Sequence, residues 1–106
     1  MVIQPGGTSV GQTVTNVSSL GATAIPTLDT GERPKWVHVA LSGGFIWIRF
    51  GQSGMDAVTA TNGIGVSTHS TGLIINVAGQ THYDAIANST STSMTMTPLA
   101  GVFTNS

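Results

Sequence analysis

Short runs of strand-forming residues, each ended by turn residues, recur along the whole chain. Thr, Val and Ile favour extended backbone and Gly disfavours helix, and no segment keeps apolar residues at helical spacing. The runs are TVTNV, GATAI, KWVHVALS, FIWIRF, AVTAT, GVST, LIINVA, THYDAIA and SMTMTPL. They predict an all-β fold, a single compact β-sandwich or jelly-roll-like domain of about seven to nine short antiparallel strands. The pattern does not separate a jelly roll from an immunoglobulin-like sandwich, since both have short alternating strands.

The first residues of the chain are interpreted separately from the sandwich. Residues 1–12, MVIQPGGTSVGQ, are predicted to be an N-terminal arm able to reach a neighbouring molecule, and residues 13–106 the β-sandwich domain. The arm lacks a basic segment followed by an apolar run, so no signal peptide is visible and folding in a cytoplasm is expected. No apolar run approaches the roughly 18 residues of a membrane span, so no membrane association is expected.

Charged residues are scarce, at 7% of the chain, against about 25% in typical globular domains. The net charge of −1, without clustered Lys and Arg, argues against direct nucleic-acid binding. So few charges give little protection against self-association. This favours a protein that is part of an assembly, and a homo-oligomer is expected. With no cysteine, neither a disulfide scaffold nor a Cys-ligated zinc site can form.

The stretch ALSGGFIWIRF, residues 40–50, is the most apolar in the chain and contains two adjacent glycines. If Gly43 and Gly44 form a two-residue turn, a hairpin follows in which Leu41 pairs with Ile46. Because side chains alternate along a strand, one face of this hairpin is apolar and the other is mixed. The predicted core face comprises Val37, Val39, Leu41, Ile46, Ile48 and Phe50, and the mixed face comprises Trp36, His38, Ala40, Trp47 and Arg49.

A second hairpin is predicted at Gly79 and Gln80, between LIINVA and THYDAIA. Strict alternation would place Asp84 beside the apolar residues of LIINVA, so this hairpin needs a bulge. In the last strand Met94 and Met96 share a face, and both are assigned to the core.

No motif in the sequence indicates catalysis. The nucleophile elbow G-x-S-x-G is missing, since GQSGM has Met55 at the second glycine position, and Ser53 is interpreted as a turn residue. GIGVST lacks the third glycine of a dinucleotide fingerprint. His82 and Asp84 could share a strand face, but a histidine with a backbone partner is the commoner arrangement. We therefore predict a non-enzyme with no cofactor and no metal.

The mixed face of the first hairpin is the predicted interaction surface. Trp and Arg are enriched at interface hot spots because they bury a large area and still make polar contacts. In the alternative interpretation the tryptophans pack against the second sheet or lie beneath the connector PTLDTGERP, residues 26–34. The candidate interface residues are Trp36, His38, Trp47, Arg49 and Tyr83.

Four segments between residues 33 and 100 resemble a recurrent type of small structural protein of tailed bacteriophages. In that type a strand R-x-V-x-V leads through a Gly turn into hydrophobic-W-hydrophobic-R-F-G, followed by a T-H-I/Y-x-A-I-A strand and a strand ending in T-P-L. The matching segments here are KWVHVAL, FIWIRFG, THYDAIA and MTMTPLAG. The charged connector at residues 26–34 departs from the pattern, so no contact of that loop is carried over.

The resemblance implies a capsid decoration or cement protein that binds a particle surface by packing. Its expected partners are the major capsid protein or other virion proteins, and its expected location is the virion, after synthesis in the host cytoplasm. One alternative is a neck or tail ring component. Another is a glycan-binding β-sandwich module that stacks sugars on Trp36, Trp47 and Tyr83. A small hydrolase using His82 and Ser53 ranks last.

Overall fold

The computed structural model describes residues 2–59, 61–67 and 72–102, with side chains described for residues 5–59, 61–67 and 72–100. Within these residues the backbone forms nine strands and no helix. The strands are β1 (Val2–Pro5), β2 (Val10–Val14), β3 (Thr23–Ala24), β4 (Trp36–Leu41), β5 (Phe45–Gly51), β6 (Ile64–Ser67), β7 (Leu73–Asn76), β8 (His82–Ala87) and β9 (Thr92–Val102).

The strands form two antiparallel sheets around one core. Sheet A has the order β2-β9-β4-β7, with β1 paired to the far end of β9, and sheet B has the order β3-β8-β5-β6. From β2 to β9 the chain changes sheet at every step except between β5 and β6. This is the strand order of a jelly roll. The predicted all-β sandwich is confirmed, and the strand order excludes the immunoglobulin arrangement for the described strands.

Both predicted hairpins are wrong, because the strands of each lie in different sheets. β4 pairs with β7 and β9, and β5 pairs with β6 and β8, so Leu41 lies opposite Met94 and not opposite Ile46. Residues 42–44 cross between the sheets, and of the two glycines there only Gly44 has a positive φ, 74°. The turn before β8 likewise joins sheet A to sheet B. Strands that face each other across a sandwich bury the same side chains as strands paired in one sheet, so alternation alone cannot separate the two arrangements.

The core lies between the sheets and takes inward-facing side chains from both. Its composition follows the predicted alternation even though the predicted pairing is wrong, because inward and outward positions are a property of each strand by itself. The predicted core residues Val37, Val39, Leu41, Ile46 and Ile48 are buried, and Phe50 packs partly buried against them.

β9 is the longest strand and organises sheet A. It pairs with β1 and β2 on one side and with β4 on the other. Met94 and Met96 point from it into the core and are fully buried, as expected. Of the predicted arm, residues 1–12, the structure places residues 2–5 and 10–12 in β1 and β2 of this sheet, while residue 1 lies outside the described residues.

Candidate interaction surfaces

The outer face of sheet A, which we call face A, is uncharged. Its members follow from the register, since directly paired residues share a face and alternate residues point outward. The sequence has three Lys or Arg and four Asp or Glu, and none of them lies in a strand of sheet A. The residues of face A with described side chains are Pro5, Gly11, Thr13, Trp36, His38, Ala40, Ile74, Asn76, Ser93, Thr95, Thr97 and Leu99. Thr97 and Leu99 among them are buried.

Face A is mostly small and polar, with a few large side chains near β7. Ile74 is 43% exposed, and Trp36 and His38 beside it are half-buried. The His38 ring packs so closely on Gly72 that a side chain at that position would clash with it. On β9, directly opposite His38, Thr97 has its hydroxyl 2.7 Å from that of Ser9, and the two are hydrogen-bonded. Face A therefore offers hydroxyl groups and apolar area without any formal charge to desolvate.

The outer face of sheet B, face B, carries an aromatic pair. Phe45 and Trp47 meet edge to face, with ring centroids 5.0 Å apart and planes at 71°. Both rings lie over Gly65 of the neighbouring strand, where a Cβ would lie 2.6 Å from the Phe45 ring. The Trp47 indole Nε1 donates to the Asn88 side-chain oxygen at 3.5 Å. The rings thus fill the space that glycine leaves on an edge strand, and both remain half-buried.

Asp84 lies on face B opposite Arg49 but is almost completely buried by two loops. Its carboxylate oxygens accept from the backbone N–H groups of Gly21 at 2.8 Å, Val58 at 2.9 Å and Ala85 at 2.9 Å. The carboxylate therefore ties the β2–β3 and β5–β6 loops to sheet B. The bulge expected around Asp84 is unnecessary, because the residue points away from the core.

The predicted mixed face is divided between opposite sides of the molecule, which corrects the single surface expected from the sequence. Trp36 and His38 lie on face A, whereas Trp47 and Arg49 lie on face B. The reason is the same as for the hairpin, since β4 and β5 belong to different sheets.

Tyr83, the fifth predicted interface residue, lies in the core and is fully buried. Among the described residues its hydroxyl makes no hydrogen bond within normal geometry. Burial raises the pKa of this phenol above its usual 10.0, and the nearby Gln12 side chain offsets part of the rise. The three aromatic residues expected to form a sugar-stacking platform, Trp36, Trp47 and Tyr83, therefore share no surface.

The two residues of the hydrolase alternative, Ser53 and His82, come from neighbouring segments, since Gly51 pairs with His82. Ser53 is exposed in a turn, and the His82 Nδ1 is 2.7 Å from the Thr81 hydroxyl. In the described part of the chain no three acidic or histidine side chains are placed to hold a metal ion. The described residues also contain no helix long and apolar enough to cross a membrane.

Two features of these surfaces do not follow from the sequence pattern. The sequence shows that β1, β2, β4, β7 and β9 contain no charged residue. Only the strand order shows that these strands form one sheet with one outer face. The exposure of Ile74 follows from its outward position on face A, between inward-facing Leu73 and Ile75, but the continuous apolar run LIIN does not show which of its residues point outward.

No family model, curated protein or solved structure matches this chain.

Proposed function

We propose that this protein is a non-enzymatic virion structural protein that binds a capsid surface and stabilises the head. Face A carries the proposal, because it is an extended, uncharged sheet surface and all seven Lys, Arg, Asp and Glu residues of the protein lie outside it. The cores of protein interfaces are depleted in charged residues, since each buried charge must be desolvated or paired. A face of Thr, Ser and Ala with a half-buried Trp36 fits a partner that supplies backbone and polar groups.

The placement of the phage-like segments supports the same proposal. KWVHVAL and MTMTPLAG form β4 and most of β9, and FIWIRFG and THYDAIA form β5 and β8 with the residue before it. These are the central strands of the two sheets. Jelly rolls occur in viral capsid and lectin domains among others. The resemblance of the segments therefore supports a capsid-type architecture, and the argument for binding rests on face A.

A binding role also fits the titratable groups. The described residue best placed by burial to have unusual chemistry, Asp84, already accepts three backbone hydrogen bonds. A carboxylate used in this way positions loops and has little capacity left for substrate. The glycan-binding alternative loses its platform, since Trp36 and Trp47 lie on opposite faces.

The first test is the copy number of this chain in purified particles of the source phage, measured by quantitative mass spectrometry against the major capsid protein. We expect a ratio fixed by the capsid lattice. A copy number fitting a single ring would replace decoration with the neck or tail alternative. Absence from the particle would overturn the virion proposal.

The second test locates the binding surface. Thr95→Arg adds a charge in the middle of face A, where Thr95 is exposed, and Ser53→Arg adds the same charge at an exposed turn elsewhere. In co-sedimentation with particles lacking the protein, we expect Thr95→Arg to lose binding and Ser53→Arg to bind like wild type. Equal binding by both variants would show that face A is not the docking surface.

A further inference from the structure

One side of the sandwich, formed by β6 and β7, leaves inward-facing apolar side chains uncovered. Only residues 42–44 join β4 to β5, so these strands lie across from each other and their outer neighbours β7 and β6 run along the same side. Ile64 and Leu73 point inward, as the partners of buried Ile48 and Val39. Ile64 is nevertheless 47% exposed and Leu73 only half-buried. Val66 and Ile75, which also point inward from these strands, are buried, so among the described residues the incomplete cover is confined to the β6–β7 pair around Ile64 and Leu73.

The two sides of the sandwich differ in how their edges are protected. On the far side β1 ends in Pro5, and β3 has two residues and is followed closely by Pro26. Short strands, prolines and charges are the usual devices that prevent sheets from adding further strands. β6 and β7, with sequences IGVS and LIIN, contain neither a proline nor a charged residue. The far-side edge strand β2, VGQTV, also lacks both, so what distinguishes the β6–β7 side is its exposed apolar side chains, Ile64 and Ile74.

We propose that a second copy of this chain pairs with β7, edge to edge and antiparallel, about a two-fold axis at Ile74. Directly opposite residues of an antiparallel pair lie on the same face of the sheet. In this register Ile74 meets Ile74 of the second copy on the outer face, and Leu73 meets Ile75 of the second copy on the inner face. The pairing therefore covers the exposed Ile74 and extends both cores across the join.

The second copy fits this edge because β7 is complementary to itself. Sheet A contains no charged residue, so two copies bring no like charges together. A two-fold contact is closed, with each copy using the same edge, so it gives a dimer and not a fibre. It also joins two A faces into one continuous uncharged sheet surface. The dimer does not depend on the virion role, because the purified chain alone is enough to form it.

Cross-linking tests the register directly, since the chain has no cysteine of its own. Opposite Cα atoms in an antiparallel pair lie about 4.5–5.5 Å apart, within the roughly 4.4–6.8 Å that a disulfide spans. We expect Ile74→Cys to form an intermolecular disulfide under mild oxidation and Thr95→Cys, exposed in the middle of face A, to remain reduced. Failure of Ile74→Cys to cross-link, or equal cross-linking of both, would overturn the proposal.

Sedimentation over a concentration series tests the association itself. We expect wild type to form a dimer and Ile74→Lys, which places two ammonium groups at the axis, to weaken it by about tenfold or more. Thr95→Lys is the matched control and keeps wild-type association. Circular dichroism of each variant checks the monomer fold, which tolerates both changes because both side chains are exposed.

Two outcomes would overturn the dimer. One is a wild-type chain that stays monomeric at every concentration. The other is Thr95→Lys weakening the dimer as much as Ile74→Lys, which would move the contact from the β7 edge to the middle of face A. Neither outcome decides the particle-binding test of the proposed function, which uses a different partner and a substitution at Thr95, in the middle of face A and away from the β7 edge.

Discussion

At the scale of single residues, the two most informative side chains are neighbours on β8 that point in opposite directions. Tyr83 faces the core and keeps a buried hydroxyl without a hydrogen bond among the described residues. Asp84 faces outward, is buried by loops and accepts three backbone hydrogen bonds. The Tyr83 hydroxyl thus lacks a hydrogen-bond partner, whereas the Asp84 carboxylate has three. Removing the first should raise the free energy of unfolding, and removing the second should lower it.

Tyr83→Phe removes the unsatisfied hydroxyl and keeps the ring in place. Leaving a buried polar group unpaired costs about 1–3 kcal/mol, so we expect the variant to be more stable than wild type by up to about 1 kcal/mol after losing the weak Gln12 contact. Urea unfolding at neutral pH measures the difference. A clear loss of stability would mean that the hydroxyl has a strong partner.

The raised pKa of Tyr83 also predicts alkaline sensitivity. The unfolded phenol ionises near pH 10 and the folded one at higher pH. Stability from this group is therefore fully present below about pH 10 and falls as pH rises through the folded pKa. Tyr83 is the only tyrosine, so absorbance near 295 nm follows it alone. We expect its ionisation to coincide with unfolding and Tyr83→Phe to reduce the stability loss; tyrosinate forming in the folded protein near pH 10 would contradict this.

Asp84→Ala leaves three backbone donors without an acceptor, those of Val58 and Ala85 buried and that of Gly21 partly buried. Each unpaired buried donor costs about 1–3 kcal/mol, and since loop relaxation lets water reach some of them we expect a total loss of about 3 kcal/mol. Asp56→Ala, at an exposed position of the β5–β6 loop, is the control and should change stability little. Chemical denaturation compares them. If both variants unfold at the same denaturant concentration, the loop attachment is not stabilising.

At the scale of elements, the largest difference between the sequence-based prediction and the structure is the connection between β4 and β5. The alternation of KWVHVAL and FIWIRF correctly identifies the inward-facing residues, from Val37 to Ile48. It says nothing about whether the next strand lies beside or across the core, because both arrangements bury the same positions. A Gly-Gly pair is typical of a two-residue hairpin, and here it makes a corner between sheets.

The same limit explains the interaction surface. That Trp36, His38, Trp47 and Arg49 point outward is predictable from alternation, and the structure places all four outside the core. Which of them share a surface depends on sheet membership, which is set by long-range pairing with β7, β8 and β9. The residue type of Tyr83 suggests an outward position, although its alternation with Ala85 and Ala87 puts it in the core.

The corner predicts different roles for its two glycines. Gly44 has a φ of 74°, whereas Gly43 has no positive φ and a Cβ added there would meet no atom within 4 Å. Gly44→Ala should cost about 1 kcal/mol, because a residue with a side chain is strained in the left-handed region. Gly43→Ala should be close to neutral. Thermal unfolding of the two variants decides; equal losses would place the strain elsewhere.

At the scale of the whole molecule, the two sheets share one core and should unfold together. Inward-facing residues of both sheets belong to a single buried cluster, and small domains of this kind usually unfold in one step. The two tryptophans report the sheets separately, since Trp36 lies in sheet A and Trp47 in sheet B.

This arrangement gives a direct measure of cooperativity. Trp47→Phe leaves fluorescence from sheet A only, and Trp36→Phe leaves it from sheet B only. In each variant we expect the fluorescence transition in urea to coincide with the loss of far-ultraviolet circular dichroism. Fluorescence and dichroism midpoints that separate within one variant would show that one sheet can open while the other remains folded.

The position of β9 has a consequence for how the protein is made. β1, β2 and β4 leave the ribosome before β9 does, yet each of them takes β9 as a neighbour in sheet A. Until residues 92–102 have been translated and released from the exit tunnel, these uncharged strands have open edges, the condition in which nascent chains aggregate or recruit chaperones. The order of synthesis therefore lets β4 pair with β7 early and delays the pairing of β1, β2 and β4 with β9 until residues 92–102 are available.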